Sequence, residues 1–398
     1  MGSVEAPQPA AAAPARSVLM ICGDYMEDYE AAVPFYALSA LAVRVHCASP
    51  GKPSGAPCPT AIHDFLGFEL YTELPGHNFP INADFEALDL DAYDALIIPG
   101  GRFTEFLSDH AGALAAVSHF AAAGKPIMAT CHSQMVLAAA GVIQGTRCTA
   151  FPSMKPVVEL AGGVWSDPEP ISSCVVDRGI ISAIGWPAHA ELLGRLLRLM
   201  GAVVSGPRGL AVLFLCGDFV DDYEMNVPFR ALGALGCRVE AACPGKEKGQ
   251  TCAAAVFDPE RAAQVCSEKR GHNVVVTASW GEVRAEDYDA VVVPGGRSPE
   301  LLVGNPQVVS LVSEAVEKGK VVAAIGHGQL VLAAAGLLKG KKCAGGHGMK
   351  VAARLAGGVV VESAGPVADG KLLTASGWPA LAQFISDLVG LLGLGVSF

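Results

Sequence analysis

SVLMICGDYMEDYEAAVPFYAL, residues 17–38, returns later in the chain as LAVLFLCGDFVDDYEMNVPFRAL, residues 210–232. Cys22, Asp24 and Glu30 of the first stretch answer to Cys216, Asp218 and Glu224 of the second. The other landmarks follow in the same order. YDALIIPGGRFTEFL (93–107) matches YDAVVVPGGRSPELL (288–302), QMVLAAAG (134–141) matches QLVLAAAG (329–336), and ISAIGWPA (181–188) matches LTASGWPA (373–380). A spacing of about 195 residues is far longer than the unit of a solenoid, so a whole domain is repeated. Gly and Pro replace periodic apolar residues around 205–209, where the join is expected. The division read from sequence is a disordered Ala/Pro-rich tail over 1–16, a first domain over 17–204 and a second over 209–398.

Within each copy, short apolar runs bounded by Gly, Pro or Asp alternate with helical patterns. In the first they are 17–22, a helix around 34–41, 43–49, 95–101, a helix near 111–123, 126–131, and a helix opening at His132. Continuous apolar strands alternating with helices predict an α/β fold with mostly parallel sheets covered on both faces, giving two tandem three-layer α/β/α domains. Ligands in such sheets bind beyond the carboxyl ends of the strands, so functional residues are sought there.

Composition narrows the function. Of 398 residues, 51% are hydrophobic and 17% charged, enough to fill two cores. The formal charge of -11 and a pI near 5.4 argue against a nucleic-acid backbone or an anionic membrane as partner, and leave a small polar metabolite. The twelve cysteines include no CxxC pair and no zinc spacing with His. Cys22 and Cys216 sit in apolar runs and read as buried thiols. With no secretory pattern at the start and no apolar stretch of membrane-spanning length, a reducing cytoplasmic location is expected, with entry into the nucleus undecided.

Three strand ends carry the chemistry. The run 126–130 ends at Cys131, followed by His132 and Ser133. A nucleophile at a sharp strand-to-helix turn is held exposed beside helix amides, which favour the thiolate. A thiol pKa of about 8.5 leaves little thiolate at neutral pH, so a depressed Cys131 pKa is expected. The run 17–22 leads into GDYMEDYE (23–30), where Glu30 either caps the next helix or points inward as a carboxyl of raised pKa, able to act as a general base. The run 95–98 leads to Gly100 and Gly101, whose backbone can approach a ligand and form an oxyanion hole. A lone histidine is more often packed than functional; His63 and His189 are nonetheless candidates for binding substrate.

GDYMEDYE, PGGRFTEFL (99–107) and ATCHSQMVLAAAG (129–141) resemble the DJ-one/PfpI superfamily, a flavodoxin-like fold shared with class I glutamine amidotransferases, along both copies. The duplication, with CPTAIHDF (58–65) and GHNF (76–79), is similar to the tandem-domain plant glyoxalase III branch. The resemblance implies that Cys131, His132 and Glu30 are the working residues. It also implies a glutathione-independent glyoxalase, a lyase of the lactate dehydratase type with a role in methylglyoxal detoxification under stress. Such an enzyme turns methylglyoxal into lactate, and glyoxal into glycolate, without metal or organic cofactor. A homo-oligomer acting on free dicarbonyls, with no nucleic-acid or membrane partner, is the expected form. The family's usual Gly after the Cys-His pair is Ser133 here, expected to narrow the pocket or alter the turn.

The second copy departs at the site itself. Gly326 stands in the place of Cys131, Phe257 in that of His63 and Leu381 in that of His189, while Glu224, His327 and the Gly295-Gly296 pair persist. A glycine is no nucleophile, so one active site per chain is expected. Two other readings stand beside the glyoxalase: another hydrolase of the superfamily, such as a peptidase or deglycase, and a non-enzymatic redox sensor or chaperone built on an oxidisable Cys131.

Overall fold

A computed structural model of the chain describes residues 16–65, 73–258, 267–346 and 348–398. The expected tail lies outside the described residues except for Arg16, which opens the first strand. Two compact units divide between Val203 and Val204, with Asp64 and Phe65 grouped with the second unit and Val396–Phe398 with the first.

The first unit runs β1 (Arg16–Ile21), α1 (Asp28–Ala40), β2 (Val43–Ala48), β3 (Pro57–Ile62), β4 (Leu74–Pro80), β5 (Ala95–Ile98), α2 (Phe103–Ser108), α3 (Ala111–Ala122), β6 (Ile127–Thr130), α4 (Gln134–Ala139), β7 (Cys174–Asp177), β8 (Ile180–Ala183) and α5 (His189–Leu199). Its main sheet has the order β2-β1-β5-β6-β8-β7, parallel throughout except for the β7–β8 pair. Every residue of β5, β6 and β8 is buried, which is why these strands read as unbroken apolar runs rather than as an alternation. Helix α1 packs with α5, and α2 and α3 with α4, forming the two helical layers.

The first helix begins earlier than its apolar pattern suggested. The Glu27 side chain accepts from the Glu30 amide at 2.8 Å and caps α1 at Asp28, so Pro34 falls inside the helix. Proline has no N–H, and the Glu30 carbonyl therefore lacks its usual donor four residues on. The hairpin of β3 with β4, which delivers His63 just past its first strand, was not anticipated from sequence.

The second unit repeats this plan as β9 (Ala211–Leu215), α6 (Asp222–Ala234), β10 (Arg238–Ala242), β11 (Thr251–Asp258), β12 (Ser267–Val275), β13 (Ala290–Val293), α7 (Ser298–Leu302), α8 (Pro306–Glu317), β14 (Val321–Ile325), α9 (Gln329–Ala334), β15 (Val367–Asp369), β16 (Leu372–Ala375) and α10 (Leu381–Leu391). The sheet order is β10-β9-β13-β14-β16-β15, again with only its last pair antiparallel. Its core joins strand residues Leu213, Val291 and Val322 to Leu311 and Leu332 of the helices.

Candidate active site

Glu30 lies in the first turn of α1 and is 1% exposed. Its carboxyl is gripped by donors from the ends of three strands. The Gly100 amide after β5 and the Thr130 hydroxyl in β6 each reach Oε2 at 2.5 Å, and the Trp186 amide after β8 completes the set. Burial, followed by the neighbouring charge of Glu27, pushes this carboxyl from 4.5 to about 8, against the downward pull of the donors. Glu30 is therefore mostly protonated at neutral pH. The capping role belongs to Glu27, and Glu30 points inward.

Cys131 follows β6 at a backbone φ of +55°, the left-handed region that L-residues seldom enter. The sharp turn leaves the residue partly exposed beside the buried carboxyl. Gly100 makes this approach feasible: a Cβ there would stand 2.4 Å from the Cys131 Cβ and 2.7 Å from Glu30 Oε2. The Sγ lies 3.1 Å from His132 Nδ1, and the backbone amides of His132 and Gly101 donate to the sulfur.

Two expectations are corrected here. The Gly100 amide is taken by Glu30, so the oxyanion-type donors are those of Gly101 and His132 rather than of the glycine pair. The Cys131 thiol is pushed well above its usual range instead of below it, by burial first and then by the charges of Glu30 and Glu27; the two amides pull it down. Burial wins because the following helix has only six residues and little dipole to set against desolvation. With Glu30 protonated, one of the two charges opposing the thiolate is removed.

The His132 ring stacks on Phe151 with centroids 5.2 Å apart, and its Nε2 is 3.3 Å from Ser153 Oγ. Burial, then the neighbouring His63 ring and Arg102 guanidinium, lower its pKa, which favours the neutral ring whose Nδ1 can share a proton with the sulfur. His63 is within this group, 3.5 Å from Glu73, which also takes Arg102 Nε at 2.8 Å. Its carbonyl accepts from the Trp186 indole at 2.9 Å. His189 differs from expectation: it opens α5 at 0% exposure and presents no surface to an incoming molecule. Ser133 also turns away, its hydroxyl lying 2.7 to 2.8 Å from the carbonyls of Ile98, Pro99 and Thr130, so it ties the ends of β5 and β6 together instead of narrowing the pocket.

Sequence reading passed over Thr130, Trp186 and Glu27. The repeated GWPA was a visible signal for Trp186, since the motif keeps both its ring and its amide in place in each unit. The Tyr29–Trp186 rings meet edge-on at 5.4 Å, and Tyr223–Trp378 do so at 5.6 Å.

In the second unit Glu224 is 3% exposed, accepts from the Gly295 amide at 2.7 Å and from the Trp378 amide, and is raised by burial to about 7. Gly326 keeps the left-handed turn at φ +49° without a side chain. Ile325 replaces Thr130, removing the hydroxyl donor as well. The Trp378 indole donates to the Phe257 carbonyl at 2.7 Å, repeating the tether of His63 without its ring chemistry. His327 is lowered by burial, as His132 is.

A left-handed cysteine at a strand-to-helix turn, amides aimed at its sulfur and a buried neutral carboxyl define a cysteine-centred α/β protein of the nucleophile-elbow type. The chain belongs to the DJ-1/PfpI family, whose pattern matches residues 16–199 and 211–391 and so spans both units. It is 50% identical over 397 residues to DJ-1 protein homolog E of Arabidopsis thaliana, covering 98% of this chain and 100% of that protein. Against DJ-1 protein homolog F of the same plant it is 50% identical over 394 residues, 96% of this chain and 98% of the relative. Deglycase PH1704 of Pyrococcus horikoshii is 33% identical over 141 residues, 35% of this chain and 75% of its own length. The family thus includes proteins named as enzymes. Among the described residues no helix is long and apolar enough to cross a membrane.

Proposed function

We propose that the first unit is a glutathione-independent glyoxalase that converts methylglyoxal to lactate, and glyoxal to glycolate. The observation that carries this reading is Glu30, a carboxyl raised to about 8 and set beside the Cys131 sulfur by donors from three strand ends. A group that gains and loses a proton near neutrality suits an internal proton transfer between adjacent carbons.

In this reading the Cys131 sulfur adds to the aldehyde carbon while His132 Nδ1, 3.1 Å away, takes the thiol proton. The new oxyanion faces the Gly101 and His132 amides and is protonated to a hemithioacetal. Ionised Glu30 removes the proton from the former aldehyde carbon, giving an enediolate, and returns it to the neighbouring carbon. The product is a thioester at Cys131, which water hydrolyses to the hydroxy acid and the free thiol. Glu30 and His132 supply all the proton transfers, so the sequence needs neither metal nor organic cofactor. The second unit lacks the nucleophile and is read as non-catalytic. The chain's charge of -11 disfavours a nucleic acid or an anionic membrane as partner, and the reading takes the enzyme as a cytoplasmic homo-oligomer working on free dicarbonyls.

The test is loss of methylglyoxal and appearance of lactate without glutathione, in the unsubstituted chain and in Cys131→Ser and Glu30→Gln. Turnover abolished by both substitutions supports the reading; a folded, unsubstituted chain without turnover overturns it. The name of the Pyrococcus relative favours a second reading, hydrolysis of aldehyde adducts on amines or thiols. Release of intact amino acid from a freshly formed methylglyoxal adduct, faster than the adduct dissociates, distinguishes it.

A further inference from the structure

A cavity of about 210 Å³ opens in the first unit at the end of the sheet away from Cys131. Its lining includes Ile127 and Ile180, the first residues of β6 and β8, which pair directly across the sheet. Around them stand four polar side chains from three connections: Lys125 after α3, Gln144 and Thr146 after α4, and Arg178 in the β7–β8 turn. Lys125 Nζ donates to the carbonyls of Leu90 and Asp91 at 3.2 and 3.0 Å, which leaves the third of its N–H groups. Thr146 is 1% exposed and Arg178 lies at the surface. Among the described residues, neither the Thr146 hydroxyl nor the Arg178 guanidinium has a hydrogen-bond partner. The Asp177 carboxylate beside Arg178 accepts instead from the Arg147 amide, at 2.7 Å.

The turn that carries Arg178 is strained. Arg178 has φ +48° and Gly179 after it φ +81°, a two-residue hairpin turn in which Asn or Gly is the unstrained choice at the first position. The second unit provides an internal comparison, since it has Gly370 there, at φ +65°. Lys339 and Lys341 replace Gln144 and Thr146, Lys371 replaces Gly179, and Lys320 matches Lys125. Those groups are engaged within the unit: Lys341 Nζ pairs with Asp369 at 3.0 Å, Lys371 Nζ donates to the Gly319 carbonyl at 2.6 Å, and Lys320 Nζ to the Glu286 carbonyl at 3.2 Å. In the first unit, by contrast, a guanidinium held against strain and a buried hydroxyl keep their donors for the cavity.

We propose that this cavity binds a small phosphate-bearing anion, at a site separate from Cys131 and independent of the glyoxalase reading. A phosphate group presents acceptor oxygens in several directions, and the donors here come from separate elements: the planar fork of Arg178, the Lys125 ammonium, the Thr146 hydroxyl and the Gln144 amide. A carboxylate is planar and is satisfied by one guanidinium, so it has less use for a set spread over three connections. Two cations match the charge of a phosphate dianion. Ile127 and Ile180 leave an apolar wall for a short carbon chain. The volume is that of about seven waters in the liquid, enough for a phosphate with a few carbons and too small for a nucleotide.

The experiment titrates the full chain with inorganic phosphate and with glycerol 3-phosphate, by calorimetry at constant ionic strength with chloride as the only other anion. The expected result is one saturable site per chain. Tighter binding of glycerol 3-phosphate assigns the site to a phosphomonoester and equal binding assigns it to free phosphate; either supports the proposal. Arg178→Gly, which installs the second unit's residue and relaxes the turn, weakens binding about tenfold while circular dichroism stays unchanged. Thr146→Val, nearly the same in shape, weakens it about fivefold. Cys131→Ser binds phosphate as the unsubstituted chain does. Absence of saturable binding up to about 10 mM phosphate overturns the proposal, as does an affinity unchanged by Arg178→Gly or lost with Cys131→Ser.

Discussion

The Thr130 hydroxyl donates to Glu30 Oε2 at 2.5 Å, and the residue immediately after it is the candidate nucleophile. One strand end thus sets both the proton-transfer group and the sulfur, and in the second unit Ile325 and Gly326 replace both at once. Thr130→Ile, which copies the second unit, removes a donor that favours the ionised carboxyl. We expect turnover to fall about tenfold, from a lost charge-assisted bond of about 1.5 kcal/mol, and the Glu30 titration to move to higher pH. Steady-state rates across pH check both.

If Glu30 must be ionised to remove the carbon-bound proton, kcat/KM rises with pH through about 8 and levels above it. Glu30→Gln flattens this limb and lowers the plateau by about a thousandfold. A profile that falls across the same range would point to protonated Glu30 as the working form, and so away from a base.

Stability carries the opposite sign. The folded-state pKa of Glu30 is about 8 against 4.5 for the free group, so between those values the folded chain holds a proton that the unfolded chain releases. This contribution is fully present below the unfolded value and is lost as pH rises through the folded one. We expect the urea midpoint to decline from about pH 5 to pH 8, Glu30 accounting for a difference on the order of a few kcal/mol, and Glu30→Gln to remove most of its share. Glu224, raised to about 7, leaves a smaller residual slope.

Gly326→Cys tests how much of the site survives in the second unit. A Cβ there would lie 3.3 and 3.4 Å from the two Glu224 oxygens, and the turn already has the φ that Cys131 adopts. The variant should fold, at a cost of about 1–2 kcal/mol for an L-residue in the left-handed region, and its new thiol should react with iodoacetamide in the native state. Placed in a Cys131→Ser background, it should restore weak methylglyoxal turnover, limited by Ile325, Phe257 and Leu381. Midpoint shifts, alkylation mapping and lactate assays give the three readouts.

The fold was legible because it rests on two signals that survive in one sequence, the self-match of residues 17–38 with 210–232 and the unbroken apolar runs of buried parallel strands. The neighbourhood of Cys131 and Glu30 was legible for a related reason, since residues at successive strand ends must meet at the same edge of the sheet. What sequence reading could not supply was the allocation of single hydrogen bonds. Whether the Gly100 amide faces a ligand or Glu30 depends on a side-chain rotamer fixed by Trp186 and Thr130, residues distant in the chain. The thiol's pKa direction was missed because helix amides leave a mark in the sequence around Cys131, whereas burial depends on the whole unit. His189 looked like a binding residue by type and position, but packing seals it completely.

The left-handed turn shared by Cys131 and Gly326 makes the two units unequal in the direction of change. At that φ a cysteine is held against backbone strain, while a glycine relaxes it without moving the surrounding chain. Losing the sulfur is thus downhill for folding and regaining it is uphill, a mechanical ratchet. In a protein with two such turns, one can slip and make the whole chain sturdier while the other continues to bear the strain that keeps its sulfur in place.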